Sequence, residues 1–167
     1  INNQGVIQSM KAVIHRSYGP PAVLQIAEFE KPVPQDDEVL VKVRATSVNP
    51  AEWYGMTGLF IARLGGGLFK PKDIRLGVDY SGVVEAVGKD VTQVKVGEHV
   101  VCSWNPHCGH CFYCERDLPI LCEPFSRHQP KGLLLDGRSR LSRNGGPMHH
   151  FSVVSSHAQY CVVPESG

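Results

Sequence analysis

Four of the six cysteines in this 167-residue chain fall in one short run, CGHCFYCERDLPILC, as Cys108, Cys111, Cys114 and Cys122. Two, two and seven residues separate them. Thiolates are soft, charged ligands, and four of them satisfy the tetrahedral preference of Zn²⁺ with no position left open for a substrate. The short gaps let successive sulfurs face one ion around a tight loop, and the longer gap brings the fourth back to close the cage. Three other uses compete. Overlapping CxxC pairs cannot all form disulfides, and a cytosolic setting disfavours them; iron–sulfur clusters use four cysteines at other spacings; and thiols can simply pack. A structural zinc is the favoured reading. Cys102 and Cys161 stand in apolar strand patterns and read as core. His107 and His110 flank a shell that the sulfurs already complete, so they read as solvated loop residues.

The elements that must carry this lobe are mostly strands. MKAVIHRSYGPP reads as a strand closed by a Gly-Pro-Pro turn. DDEVLVKVRATSVNP alternates, with Val39, Val41, Val43 and Ala45 on one face and Leu40, Lys42, Arg44 and Thr46 on the other, the period of a half-buried strand. Asn49, Pro50 and Glu52 suit the N-cap, first-turn and N3 positions of a short helix through AEWYGM. GLFIARLGGGLFKPKD, with three consecutive glycines, reads as a loop. YSGVVEAVG, GEHVVCSW and AQYCVVP are further strands, and the turn signals Asp136-Gly137 and Asn144-Gly145 bound another. Many short strands and little helix predict a mainly β, barrel-like or sandwich-like domain.

Composition narrows the function. Lys and Arg (17) nearly cancel Asp and Glu (16), giving a net charge of +1 and no polyanion-binding face. Arg116, Arg127 and Lys131 near the cage are interrupted by Glu115, Asp117 and Glu123, which argues against a zinc-ribbon nucleic-acid reader. The longest apolar runs fall far short of the ~20 residues that cross a bilayer, and no charged-then-apolar leader opens the chain. A soluble, cytoplasmic protein without nucleic-acid or membrane partners is expected. Residues 1–9, ahead of Met10, read as a tag or an N-terminal extension.

The run GVDYSGVVEAVGKDVTQVKVGEHVVCSWNPHCGHCFYCERDLPILC resembles the N-terminal GroES-like domain of the medium-chain dehydrogenase/reductase superfamily, which holds the zinc alcohol dehydrogenases and the quinone oxidoreductases. The resemblance covers residues 10–167. It implies a partly open β-barrel with short helices and a structural zinc lobe at about 102–125, with Cys108, Cys111, Cys114 and Cys122 as the ligands. It also implies what is missing. Where those dehydrogenases place a catalytic-zinc cysteine the chain has Asn49, in place of the motif histidine it has Val78, and in place of the relay hydroxyl it has Ala51. No catalytic residue is assigned. SVNPAEW and GVDYSG look like the zinc-free quinone reductase branch, whereas the chain from about Val100 looks like the zinc branch, which suggests a mosaic with a seam near residues 90–100.

Relatives of this kind continue into a Rossmann domain that binds NAD(P) through a glycine-rich turn. No GxGxxG occurs here, and Gly65, Gly66 and Gly67 have the wrong spacing. No cofactor-binding residue is therefore assigned, and NAD(P) belongs only to a full-length parent. The expectation is the substrate-side domain of a NAD(P)-dependent oxidoreductase, inactive alone, whose partner is the parent's Rossmann domain. Asn49, Trp53 and Tyr54 are its candidate pocket wall, against the plainer roles of helix cap and packing. The alternative is a stand-alone, zinc-stabilised β-module that associates with itself through the exposed cleft or binds another protein.

Overall fold

The computed structural model describes residues 8–71, 75–143 and 145–167. Most of the proposed extension lies outside these residues, but Ser9 already belongs to the first strand. β1 (Ser9–Ile14) pairs antiparallel with β2 (Gln25–Glu30), Met10 facing Phe29 and Ala12 facing Ala27. Between them Pro21–Val23 forms a tight 3₁₀ turn that Pro21 starts. Met10, Ala12 and Ile14 share one face and close with Phe29 and Leu141 into a small core.

The larger sheet has the order β5-β4-β3-β8, built from β3 (Glu38–Thr46), β4 (Tyr80–Val87), β5 (His99–Cys102) and β8 (Tyr160–Pro164). Val39, Val41, Val84, Val153, Val154, Cys161 and Val163 are buried in its core. The alternation expected along β3 fails at its start, where Val39, Leu40 and Val41 are all buried. This stretch pairs with both β4 and β8, and a register slip between Leu40 and Val41 breaks the two-residue period. A third sheet is the hairpin of β6 (Leu141–Arg143) and β7 (Gly146–Met148). It forms at the second turn signal, of which Asn144 is outside the described residues. Among the described residues the three sheets do not close into a barrel.

The helix at 50 is α1 (Pro50–Thr57), with Asn49 as N-cap and Glu52 completing a capping box. The segment read as a loop contains instead a short helix, α2 (Phe60–Gly66). The apolar, helix-competent residues precede the glycines, and the chain stops at Gly67, whose φ of 114° few other residues adopt. Arg63 Nε donates to Gly58 O and the Tyr18 hydroxyl to Gly67 O, so both helix ends are tied down.

Gly77 sets how the segment before β4 meets the segment before β8. Its φ is +108°, and a Cβ there would lie 2.3 Å from His157 N. Gly77→Ala is expected to cost about 2–3 kcal/mol, because neither the backbone angle nor the amide opposite can yield cheaply. Urea denaturation reads this directly, and an unchanged midpoint would refute the close approach.

Candidate metal centre and the adjoining cleft

The lobe hangs between β5 and α3 (Glu123–His128). Gly109, at φ +79°, turns the chain after Cys108. The Cys114–Arg116 turn then ends at Asp117 in the left-handed region, and Pro119–Leu121 forms a second tight turn. Glu115 N donates to Cys111 O, and Cys122 N to Pro119 O. These reversals bring the four sulfurs within 4.8 Å of one another, with Cys111 and Cys114 Sγ 3.5 Å apart. That spacing can hold one zinc ion.

The four thiols are not equivalent. Backbone amides, that of Glu123 first, pull the Cys111 thiol down to about 6, while burial pushes Cys122 up to about 12 and raises Cys114. Cys122 lies in the main core with Phe125, whose ring is 6.3 Å from that of Trp104. Ser166 Oγ accepts from His107 N and donates to His107 O, tying the lobe to the far end of the chain. His110 is exposed and His107 half-buried. Cys102 is half-buried beside the core and Cys161 is fully buried in it.

The other residues singled out in the sequence lie on and around α1. Asn49 accepts from Ala51 N through its side chain and donates Nδ2 to Asp79 Oδ2 at 3.0 Å. Trp53 and Tyr54 are each about half exposed, at 49% and 50%. Tyr54 lines a cavity of about 280 Å³ with Ala51, Gly55 and Phe151; Asn49 and Trp53 are not among its lining residues. Val78 is buried, and its N–H donates to Glu52 Oε1 at 2.9 Å.

Sequence reasoning missed one constellation here. Glu52 Oε2 lies 2.9 Å from His157 Nε2, and His157 Nδ1 lies 3.1 Å from Thr46 Oγ1. Glu52 carried the signal of a capping residue, and nothing local to HAQYC pointed to a partner 105 residues away.

A β domain of three antiparallel sheets, carrying a lobe in which four thiols lie close enough to hold one metal ion, defines a class of protein. The alcohol dehydrogenase GroES-like domain profile matches residues 35–167, and the chain belongs to that family. It is 35% identical over 156 residues to the S-(hydroxymethyl)glutathione dehydrogenase of Escherichia coli O1:K1 / APEC, covering 93% of this chain and 40% of that protein. Among solved structures it is similar to an alcohol dehydrogenase zinc-binding domain protein from Burkholderia ambifaria, with a TM-score of 0.77 and 31% identity over 96% of this chain and 41% of that one. It is also similar to benzyl alcohol dehydrogenase from Acinetobacter calcoaceticus, with a TM-score of 0.69 and 30% identity, covering 95% and 40%. The chain therefore spans about 40% of the length of the curated relatives it matches. No helix among the described residues is long and apolar enough to cross a membrane.

Proposed function

We propose that this chain is the substrate-side domain of a NAD(P)-dependent oxidoreductase of the alcohol dehydrogenase and quinone reductase kind, with one structural zinc and no catalytic zinc. The observation that carries this reading is the convergence of Cys108, Cys111, Cys114 and Cys122 in a lobe packed on the core of a domain similar to parts of dehydrogenases. Four sulfurs fill the coordination shell, so the ion fastens the lobe and has no place for a substrate.

The cleft does not fit a catalytic metal. The amide of Asn49 is taken up by the helix cap and by Asp79, and Val78 offers no ligand atom. No step is therefore assigned to an ion there. Tyr54, Ala51 and Phe151 give a largely apolar wall that would seat the carbon skeleton of a substrate. A nicotinamide held by the rest of the parent would supply the hydride. The chain's own share is to bind, orient and exclude water, and alone it is inactive.

A second reading has an observation of its own. Phe60, Ile61, Leu64 and Phe69 are 66–86% exposed, a contiguous apolar stretch along and beyond α2. A stand-alone module would bury it against a second copy or another protein; a parent oxidoreductase would cover it with its cofactor half. Native mass spectrometry of the 167-residue chain separates the two. One zinc in a monomer without affinity for NADPH is the expected result. A stable dimer would favour the module, and two zincs per chain would overturn the metal-free cleft.

A further inference from the structure

The cavity beside α1 is about 280 Å³, just under the ~300–1,000 Å³ of sites that enclose drug-sized ligands. Four of its lining residues carry rings: His15, Tyr18, Tyr54 and Phe151. No Asp, Glu, Lys or Arg lines it among the described residues, which leaves a charged ligand without an ion-pair partner.

The helices contribute small residues at helical spacing. Ala51, Tyr54 and Gly55 share one face of α1, and Ala62 and Gly66 share one face of α2. A glycine inside a helix weakens it relative to alanine, and Gly55 provides space in return: a Cβ there would lie 3.1 Å from Phe151 Cε2. At Gly66 a Cβ would come within 3.8 Å of the Tyr18 hydroxyl. Larger residues at 55 and 66 would push helices and rings apart, so the two glycines set the width of the cavity.

Tyr18 is held from three sides. Its hydroxyl donates to Gly67 O at 2.5 Å, the Arg63 guanidinium lies over its ring at 4.6 Å, and a Cβ on Gly58 would stand 2.5 Å from its Cγ. The buried His15 ring is 6.5 Å from it, tilted by 56°. A wall fixed in this way loses little freedom when a ligand enters. Rings also pair with rings, offset or edge to face, and gain through their quadrupoles what a saturated group of the same size does not.

We propose that this cavity takes the single aromatic ring of an uncharged carbonyl or alcohol substrate, and that Tyr18, Tyr54 and Phe151 select that ring over a saturated one. This rests on the oxidoreductase reading above. The volume disfavours fused polycyclic skeletons, and the absence of an ion-pair partner disfavours carboxylates and phosphates.

Binding to the 167-residue chain tests the cavity itself. Benzyl alcohol, followed by ¹H–¹⁵N NMR, should shift the amides of Gly55 and Gly66 and bind about 2- to 10-fold more tightly than cyclohexylmethanol. Phe151→Leu should erase most of that preference. Ala62→Leu, which keeps a good helix former and fills the space, should abolish the binding of both. Equal affinities in the wild type, or shifts that survive Ala62→Leu, would overturn the assignment. In the parent polypeptide with NAD(P)H, the ratio of kcat/KM for benzaldehyde over cyclohexanecarbaldehyde should fall by a similar factor in Phe151→Leu, and the intrinsic reactivities of the two aldehydes cancel in that comparison. An unchanged ratio would sink the proposal and leave the oxidoreductase reading standing; a wild-type parent that reduces no carbonyl or quinone would sink both.

Discussion

Cys111→Ser should strip the chain of its zinc under mild competition by a chelator and lower its melting temperature by about 10 °C, equivalent to roughly 3–4 kcal/mol for a domain of this size. The reason is linkage: a four-cysteine site is not preformed in the unfolded chain, so the free energy of binding the ion is folding free energy. Beyond its packing on the core through Cys122 and the Ser166 bonds to His107, the lobe around the site has little regular structure to hold it. Cys114–Arg116 and Pro119–Leu121 are single 3₁₀ turns, and Phe112, Leu118, Ile120 and Leu121 are exposed. Cys111 is the informative position because it is only half-buried, whereas Cys122 is fully buried in the core and its replacement would also disturb packing. In the metal-free protein, Cys111→Ser should be close to neutral. Zinc stoichiometry by mass spectrometry and melting by calorimetry, each with and without EDTA, decide the matter. A variant that keeps its zinc at wild-type stoichiometry and melts unchanged would remove Cys111 from the ligand set.

Acid should destabilise this domain progressively below about pH 6.5, with His150 as a principal cause. Burial, and then the cations of Arg75 and Arg140, hold its imidazole down to about 3. The sign follows from proton binding: below its ordinary value near 6.5 the unfolded chain takes up a proton that the folded chain refuses, so stability falls as pH drops from about 6.5 toward 3. Each tenfold difference in proton affinity between the two states is worth about 1.4 kcal/mol, so the loss over that window is on the order of 4 kcal/mol. Glu38 works in the opposite sense. Burial raises its carboxyl against the pull of its backbone bond to Gln35 and of Arg140, so the folded protein binds that proton first and recovers part of the loss. His150→Gln removes the titrating ring, and the fall in stability between pH 6.5 and about 4 should flatten relative to wild type. Protonation of the cage affects both proteins alike and cancels in the comparison. Parallel denaturation curves across that range would show that His150 is not the group responsible.

The β-rich class, the capping box at Asn49 and the membership of the four cysteines in one cage are legible because each is written in short-range spacing. A helix cap needs two residues three apart, and a thiolate cage on tight turns needs CxxC repeats. α2 escapes the same reading, since the glycines that end it mask the residues that form it. The slip in β3 escapes because register is set by both neighbouring strands, and one of them, β8, lies more than a hundred residues later in the chain. The three pocket candidates share one helix and its cap, yet only Tyr54 reaches the cavity, since adjacent residues on a helix point in different directions. By itself the sequence determined what kind of scaffold this is, which thiols can take an ion, and which ligand types are absent from positions 49 and 78. Only the tertiary structure decided that Glu52, His157 and Thr46 meet. Their contact depends on Gly77 letting two distant segments come within backbone reach, and no local pattern encodes an approach between residues so far apart in the chain.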